Sequence, residues 1–181
     1  MKNRLALFFT ILLCSNLLSS CGNSLESALA TVKEGNVQEA KQMIDASPGL
    51  AKAKNNTGNT ILFESLRYGH EDLAKYVVQK GADVNLKNSQ GVTPIYFAQT
   101  PGMAKFLIEN GADKDIKTFE GTPLHWAAKF NYPELVKFYI TEGLPLNHKS
   151  GRGNTALDLA IERDNKKVIS ILESAIGEGE G

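Results

Sequence analysis

The sequence predicts an all-α solenoid in which about five helix pairs stack in a row. A threonine recurs with spacings of 33, 29 and 33 residues, at Thr60, Thr93, Thr122 and Thr155. After each threonine come two apolar runs with helical character and then a glycine turn, such as the one at Gly81. A helix pair of this size cannot bury its apolar face alone, so neighbouring pairs are expected to stack.

Physical chemistry explains the residues that mark each pair. A threonine at a helix start can cap free backbone N–H groups, and Pro94 and Pro123 follow it at the first helical position, where a missing N–H costs nothing. Ala127 and Ala128 are small enough for neighbouring helices to approach closely. Gly81 is expected to end a second helix, where a left-handed residue is favoured.

The motifs within these pairs resemble those of the ankyrin-repeat family. Thr122-Pro123-Leu124-His125-Trp126-Ala127-Ala128 matches the family's T-P-L-H-x-A-A, and Gly69-His70 matches its second turn. The segment 155–160 is similar to a last repeat, and residues 24–57 are similar to a divergent first one. The resemblance covers about residues 24–175 and implies an ankyrin-repeat solenoid that binds other proteins.

The third and last repeats depart from the others. From Thr93 to the glycine that ends the third repeat is 18 residues, against 21 in both neighbouring repeats, which predicts a shortened helix hairpin. The last repeat is expected to be a cap, with Leu157, Val168 and Ile171 in its core.

The first twenty residues are predicted to be a signal peptide. Lys2 and Arg4 precede an almost purely apolar run over residues 5–13, which is shorter than the roughly 17–25 residues that cross a bilayer and has the size of a signal-peptide core. The alternative is a buried helix of the folded domain.

Leu18-Ser19-Ser20-Cys21 resembles the bacterial lipobox. The resemblance implies that the chain is cleaved before Cys21 and that a lipid is attached to this thiol. Cys14 fits less well because the bulky Leu13 precedes it. Plain secretion, with Cys21 an ordinary residue near the cleavage point, is the alternative. Gly22, standing where Asp would resemble an inner-membrane retention signal, favours the outer membrane.

Four segments follow from these patterns. A removed signal peptide covers 1–20, a lipidated linker 21–23, the ankyrin-repeat domain 24–175 and a flexible Gly/Glu tail 176–181. Because three extended residues reach only roughly 10 Å, the solenoid is expected to lie close to the membrane.

No catalytic residue, metal site or cofactor is predicted. The resemblance implies that His70 and His125 form hydrogen bonds within and between repeats, and His148 has no second histidine or cysteine near it in sequence. We find no phosphate-binding loop, G-x-S-x-G or H-E-x-x-H motif. A formal net charge of zero argues against nucleic-acid binding.

One column of residues is predicted to bind a partner. The resemblance places two variable positions before each helix turn on the concave side, and they include Arg67, Tyr68, Lys129 and Phe130. The short repeat between them supplies only Thr100 and Pro101, so a notch flanked by the two rings is expected. The alternative is that Tyr68 and Phe130 pack between repeats, and Trp126 is expected to be partly buried core.

The loop tips are a second candidate surface. By register, Lys54, Lys87, Lys117 and Lys149 form a column that could face an acidic partner or anionic headgroups. Phe119 is an additional apolar group on a loop tip. The alternative for the lysines is that basic residues are ordinary at this position in ankyrin repeats.

The sequence therefore predicts a monomeric, lipid-anchored binding module in the bacterial envelope, facing the periplasm from the outer membrane. Its partners would be another protein and, through the lipid, the membrane. Two sharper roles remain open: an inhibitor or immunity protein for a toxic envelope enzyme, and a structural tether for an envelope protein.

Overall fold

A computed structural model describes residues 25–178, and all of its regular structure is helical. The bounds of the α-helices are α1 Leu25–Lys33, α2 Val37–Ala46, α3 Ile61–Arg67, α4 Glu71–Gln79, α5 Pro101–Glu109, α6 Pro123–Lys129, α7 Pro133–Thr141, α8 Ala156–Glu162 and α9 Lys166–Glu178. Two short 3-10 helices cover Pro48–Ala51 and Pro94–Phe97. The predicted segments 1–20 and 21–23, with Cys21, lie outside the described residues.

The helices form two layers. In the first layer α1 packs on α3, α3 on the 3-10 helix Pro94–Phe97, that helix on α6, and α6 on α8. In the second layer α2 packs on α4, α5 on α7 and α7 on α9. Five helix pairs are thus stacked in chain order, which confirms the predicted all-α solenoid.

Threonines precede four of the five first-layer helices, at the predicted positions Thr60, Thr93, Thr122 and Thr155. The Thr60 hydroxyl accepts a 3.2 Å hydrogen bond from the Phe63 amide, and Thr155 accepts one of the same length from Asp158. Pro94 and Pro123 occupy the first helical position. These caps satisfy backbone donors that have no partner inside the helix.

A continuous apolar core runs between the layers, from Ala28 in α1 to Leu172 in α9. The prediction for the last repeat is confirmed for Val168, which is fully buried, and is wrong for Leu157 and Ile171, which are only partly buried. The reason is that the last repeat has a neighbouring repeat on one side only, so its other side is not covered.

The third repeat is shortened in the way that the sequence predicts. Its first helix is the single 3-10 turn Pro94–Phe97, whereas repeat 4 has the seven-residue helix α6 at this position. The chain then passes through Gln99 and Thr100 directly into α5.

Polar side chains at the turns bind the repeats together. At three of the four junctions, the side chain near the turn donates to carbonyl groups at the end of the preceding first-layer helix. These bonds join His70 to Val32 at 3.0 Å, Gln99 to Leu66 and Arg67 at 3.1 and 3.0 Å, and Asn165 to Ala128 and Lys129 at 2.7 and 3.2 Å. Tyr132 holds the corresponding position in repeat 4, and within residues 25–178 its hydroxyl makes no such bond.

Candidate protein-binding surface

A notch opens in the first layer beside the short helix of repeat 3. Its volume is about 170 Å³. Its lining comes from three successive repeats and consists of Arg67, Tyr96, Phe97, Gln99, Trp126, Phe130 and Tyr132. We call this site the notch. It exists because four residues of 3-10 helix fill less of the layer than the two turns of α-helix on either side.

Aromatic rings form the walls of the notch. The Phe97 ring lies 5.4 Å from that of Trp126, and Trp126 lies 5.3 Å from Phe130, measured between centroids. Phe63 and Tyr96 extend this chain of contacts on either side, at 5.6 Å from Phe97 and 5.7 Å from Trp126. Three of these four pairs are edge-to-face and the Trp126–Phe130 pair is tilted, arrangements that aromatic rings favour, so ring contacts already shape the notch without a ligand.

Two cations stand at the edge of the notch. The Arg67 guanidinium lies 5.2 Å from the Phe97 centroid, and the Lys129 ammonium lies 5.9 Å from that of Phe130. Each cation is also paired with a carboxylate, Arg67 with Glu64 at 3.5 Å and Lys129 with Glu120 at 3.9 Å. The seven lining residues include no carboxylate, and the charged group among them is the Arg67 guanidinium.

The structure corrects which residues flank the notch. Phe130 is half exposed and lines it, whereas Tyr68 stacks on His70 with ring centroids 6.4 Å apart. Tyr68 borders instead a second depression of about 330 Å³ that also includes Leu29 and Lys33. The two rings therefore do not face each other across the notch, because Arg67 takes the place expected for Tyr68.

Thr100 and Pro101 are not the residues that repeat 3 supplies to the notch. The Thr100 hydroxyl accepts from the Met103 amide and so begins α5, and it also bonds to Glu71. Phe97 and Gln99 line the notch in their place. Sequence reasoning missed these two as well as Tyr96 and Tyr132, although seven aromatic residues within positions 96–132 were a visible signal.

Phe119 lies on a loop tip, as predicted, with 64% of its surface exposed. One face of its ring covers the backbone of Gly151 in the next loop, and its carbonyl accepts a 2.8 Å bond from the Gly151 amide. The Arg152 guanidinium lies 6.0 Å from the ring centroid. Phe119 thus helps to hold two adjacent loops together while leaving its other face in solvent.

The lysine column is exposed at all four predicted positions, Lys54, Lys87, Lys117 and Lys149. Two members, Lys87 and Lys117, share a wide depression with Asp113 and Asp115. The two aspartates offset the two lysines locally, which weakens a basic ridge there. The notch has the more apolar lining of the two surfaces, and its two edge cations are likewise paired with carboxylates.

The histidines are used in the structural way that the sequence predicts. Nδ1 of His125 lies 2.9 Å from the Thr122 hydroxyl, and Nε2 lies 3.1 and 3.2 Å from the carbonyls of His148 and Asn154. Burial lowers the pKa of His125, so the ring is neutral at physiological pH. A neutral ring with both nitrogens engaged has no free base for catalysis.

Between residues 25 and 178, no group of three or more His, Cys, Asp or Glu side chains could hold a metal ion. In the same part of the chain, no helix combines the length and apolar character needed to span a bilayer.

The chain is similar to known repeat proteins along most of its length. The family profile "Ankyrin repeats (3 copies)" matches residues 5–88, 28–118 and 95–177. A transient receptor potential cation channel subfamily A member 1 homolog from Caenorhabditis elegans is 31% identical over 137 residues, which are 74% of this chain and 11% of the channel.

Two plant proteins are similar over comparable stretches. The E3 ubiquitin-protein ligase XBAT32 of Arabidopsis thaliana is 35% identical over 69% of this chain and 26% of the ligase. XBAT33 of the same plant is 24% identical over 88% of this chain and 32% of its own length. The chain spans no more than a third of these three relatives, so the activities in their names stay with those proteins.

Proposed function

Because the chain belongs to the ankyrin-repeat family, whose repeats are protein-binding modules, we propose that it is a non-catalytic binding protein, held in the bacterial envelope by a lipid on Cys21. The observation that carries the binding role is the exposed column around Arg67, Lys129 and Phe130. These side chains are partly or largely exposed to solvent and are not part of the buried core between the repeats. Large exposed apolar groups in a preformed site are typical of protein interfaces.

The N-terminal sequence supports the proposed location. The positive residues, the short apolar run and the Leu18–Cys21 motif together resemble a lipoprotein signal. Lipid attachment would place the first helix within a few residues of the membrane surface. A partner at the envelope would then meet the solenoid at a fixed distance from the bilayer.

The Cys21→Ser substitution tests the anchor. We expect this variant to leave the membrane fraction, because the thiol that carries the lipid is gone. Cys14→Ser is the matched control and should stay with the membranes. Fractionation followed by immunoblotting decides the matter, and a Cys21→Ser protein that still sediments with salt-washed membranes would refute lipid attachment at this residue.

A pull-down with the lipidated chain tests the binding role. Membranes are solubilised in mild detergent, the chain is captured, and co-purified proteins are identified by mass spectrometry and re-tested as purified components. A toxic envelope enzyme among them would favour the inhibitor role, and an abundant envelope protein would favour the tether. No stoichiometric protein partner under any growth condition would argue against a binding module.

A further inference from the structure

We propose that the notch binds one large apolar side chain of a partner protein that carries carboxylates on either side of that residue. The inference deepens the proposed binding role, on which it rests, by stating what the partner must present. It follows from the size, the lining and the charge of this one site.

The size of the notch fits a single side chain. Its volume of about 170 Å³ is close to the roughly 150 Å³ of an apolar cavity that holds benzene. A phenyl or branched aliphatic group would fill it, whereas an intact helix would not enter. Filling an apolar site with a matching side chain is what makes anchor residues dominate interface energies.

The lining favours an apolar group over a polar one. Phe97, Trp126 and Phe130 present ring surface to the notch. The side-chain amide of Gln99 donates its N–H groups to the carbonyls of Leu66 and Arg67. The amide nitrogen of Gln99 is therefore not available to an inserted group, and most of the lining is ring surface. An inserted polar group would lose its water without full compensation.

The charge at the edge selects what flanks the inserted group. Arg67 lines the notch and Lys129 lies beside Phe130, so both stand within reach of a peptide that crosses the opening. Their ion pairs with Glu64 and Glu120 measure 3.5 and 3.9 Å, and each pair is at least partly buried. Each cation has further N–H groups beyond that one contact, so it can bind a second carboxylate, while a partner with lysines at these positions would be repelled.

Trp126 provides a direct readout, because it is the only tryptophan in the chain and it lines the notch. The probe is the blocked pentapeptide acetyl-Gly-Glu-Phe-Glu-Gly-amide, titrated into the full chain purified in detergent, with Trp126 fluorescence followed. Matched peptides replace the central phenylalanine with alanine, or both glutamates with lysine or glutamine. We expect saturable binding of the acidic phenylalanine peptide near 1 mM, about −4 kcal/mol, and at least tenfold weaker binding of the alanine and lysine peptides.

Variants of the chain locate the binding. Phe130→Ala should weaken the acidic phenylalanine peptide at least tenfold, and Arg67→Gln should reduce its preference over the lysine peptide. Tyr68→Ala is the matched control, since Tyr68 lies in the same column without lining the notch, and it should bind as the wild type does. Thermal melts of each variant show whether it is folded, and Arg67→Gln serves if Phe130→Ala is not.

Three results would overturn the inference: equal binding of the acidic and lysine peptides, equal binding of the phenylalanine and alanine peptides, or no saturable response. These outcomes are separate from failure of the proposed function. A purified partner that binds wild type and Phe130→Ala equally would keep the binding role and place it elsewhere. Peptide binding without any protein partner from the membrane would support the notch and contradict the proposed role.

Discussion

Repeats 3 and 4 begin with similar residues and yet differ in how those residues are used. Thr93-Pro94-Ile95-Tyr96 opens repeat 3, and Thr122-Pro123-Leu124-His125 opens repeat 4. In repeat 4 the histidine contacts its threonine and the carbonyls of the next loop. In repeat 3 the tyrosine hydroxyl lies 2.9 Å from the carbonyls of Ile116 and Gly121 instead.

The threonine of repeat 3 is left without a partner by this exchange. Thr93 is almost fully buried, and its hydroxyl is the one buried side-chain polar atom in residues 25–178 that makes no hydrogen bond. Tyrosine has no ring nitrogen at the place where His125 contacts Thr122, so repeat 3 lacks the hydrogen bond between the first and fourth residues of the motif. The difference between His125 and Tyr96 therefore leaves the threonine hydroxyl of repeat 3 without the hydrogen bond that the threonine of repeat 4 makes.

The second difference between the two repeats is length. Repeat 4 has a full α-helix whose end carbonyls receive Asn165, whereas repeat 3 has one 3-10 turn. Tyr132 holds the turn position from which, in repeat 5, Asn165 donates to the end of the preceding first-layer helix. Because repeat 3 has no full helix for it to bond to, Tyr132 lines the notch instead. The irregular third repeat thus borders a site lined by five aromatic side chains.

Gly121→Ala should produce the largest loss of stability. Gly121 has φ of +107°, and a Cβ at this position would lie 2.5 Å from Cγ of the buried His125. The left-handed backbone and the overlap together should cost about 2–5 kcal/mol, measured by urea unfolding.

Gly91→Ala is the matched control, placed before the threonine of repeat 3. Its φ is also positive, at +74°, but a Cβ there would meet no atom within 4 Å. It should cost only the backbone conformation, about 1–2 kcal/mol. Equal losses of stability for the two variants would show that the packing around His125 is no tighter than the packing at the start of repeat 3.

Alkali should destabilise the chain through Tyr96. Burial raises the pKa of Tyr96 to about 12, above its value of about 10 in the unfolded chain. Below pH 10 both states keep the proton and the shift has no effect. Above it, the unfolded state loses the proton first and stability falls as pH rises.

Tyr96→Phe isolates this effect. Although it loses a hydrogen bond at neutral pH, it should escape the alkaline loss, so wild type should lose about 2 kcal/mol more than the variant between pH 9 and 11.5. Urea melts at both values supply the comparison, and parallel losses would mean that Tyr96 titrates as if exposed.

Valine in place of the two threonines should have opposite effects. Thr93→Val removes a buried hydroxyl that has no partner, so stability should stay level or rise by up to about 1 kcal/mol. Thr122→Val removes the hydroxyl that contacts His125 and should cost about 1 kcal/mol. Denaturant midpoints are sufficient to read the signs, and a loss in Thr93→Val would show that its hydroxyl is satisfied in solution.

The sequence predicts the repeat array well because its signals are local. Threonine caps, prolines at helix starts and the spacing of apolar runs depend on neighbouring residues. The structure has the prolines and the helices at the predicted places, and of the four threonines only Thr93 makes no side-chain hydrogen bond within residues 25–178. The shortening of repeat 3 is also visible, since it is a count along the chain.

The detail of the notch is less predictable because it depends on contacts between repeats. The column of Tyr68 and Phe130 is defined by register, but Arg67 rather than Tyr68 faces the opening. Tyr68 instead stacks on His70, a turn residue that bonds to Val32 in repeat 1. Likewise, the burial of Leu157 depends on whether another element packs against the last repeat. No motif within that repeat predicts this.

The smallest expected change in stability belongs to the surface residues, and it gives the most direct test of the central claim that repeat 3 forms a binding site. Once a partner is purified, its affinity for wild type, Phe130→Ala and Tyr68→Ala is measured by calorimetry beside their melting curves. The account predicts melting temperatures within a few degrees of wild type, with affinity at least tenfold lower, about 1.4 kcal/mol, for Phe130→Ala and unchanged for Tyr68→Ala. Unfolding of Phe130→Ala, or affinity equal to wild type, would contradict it.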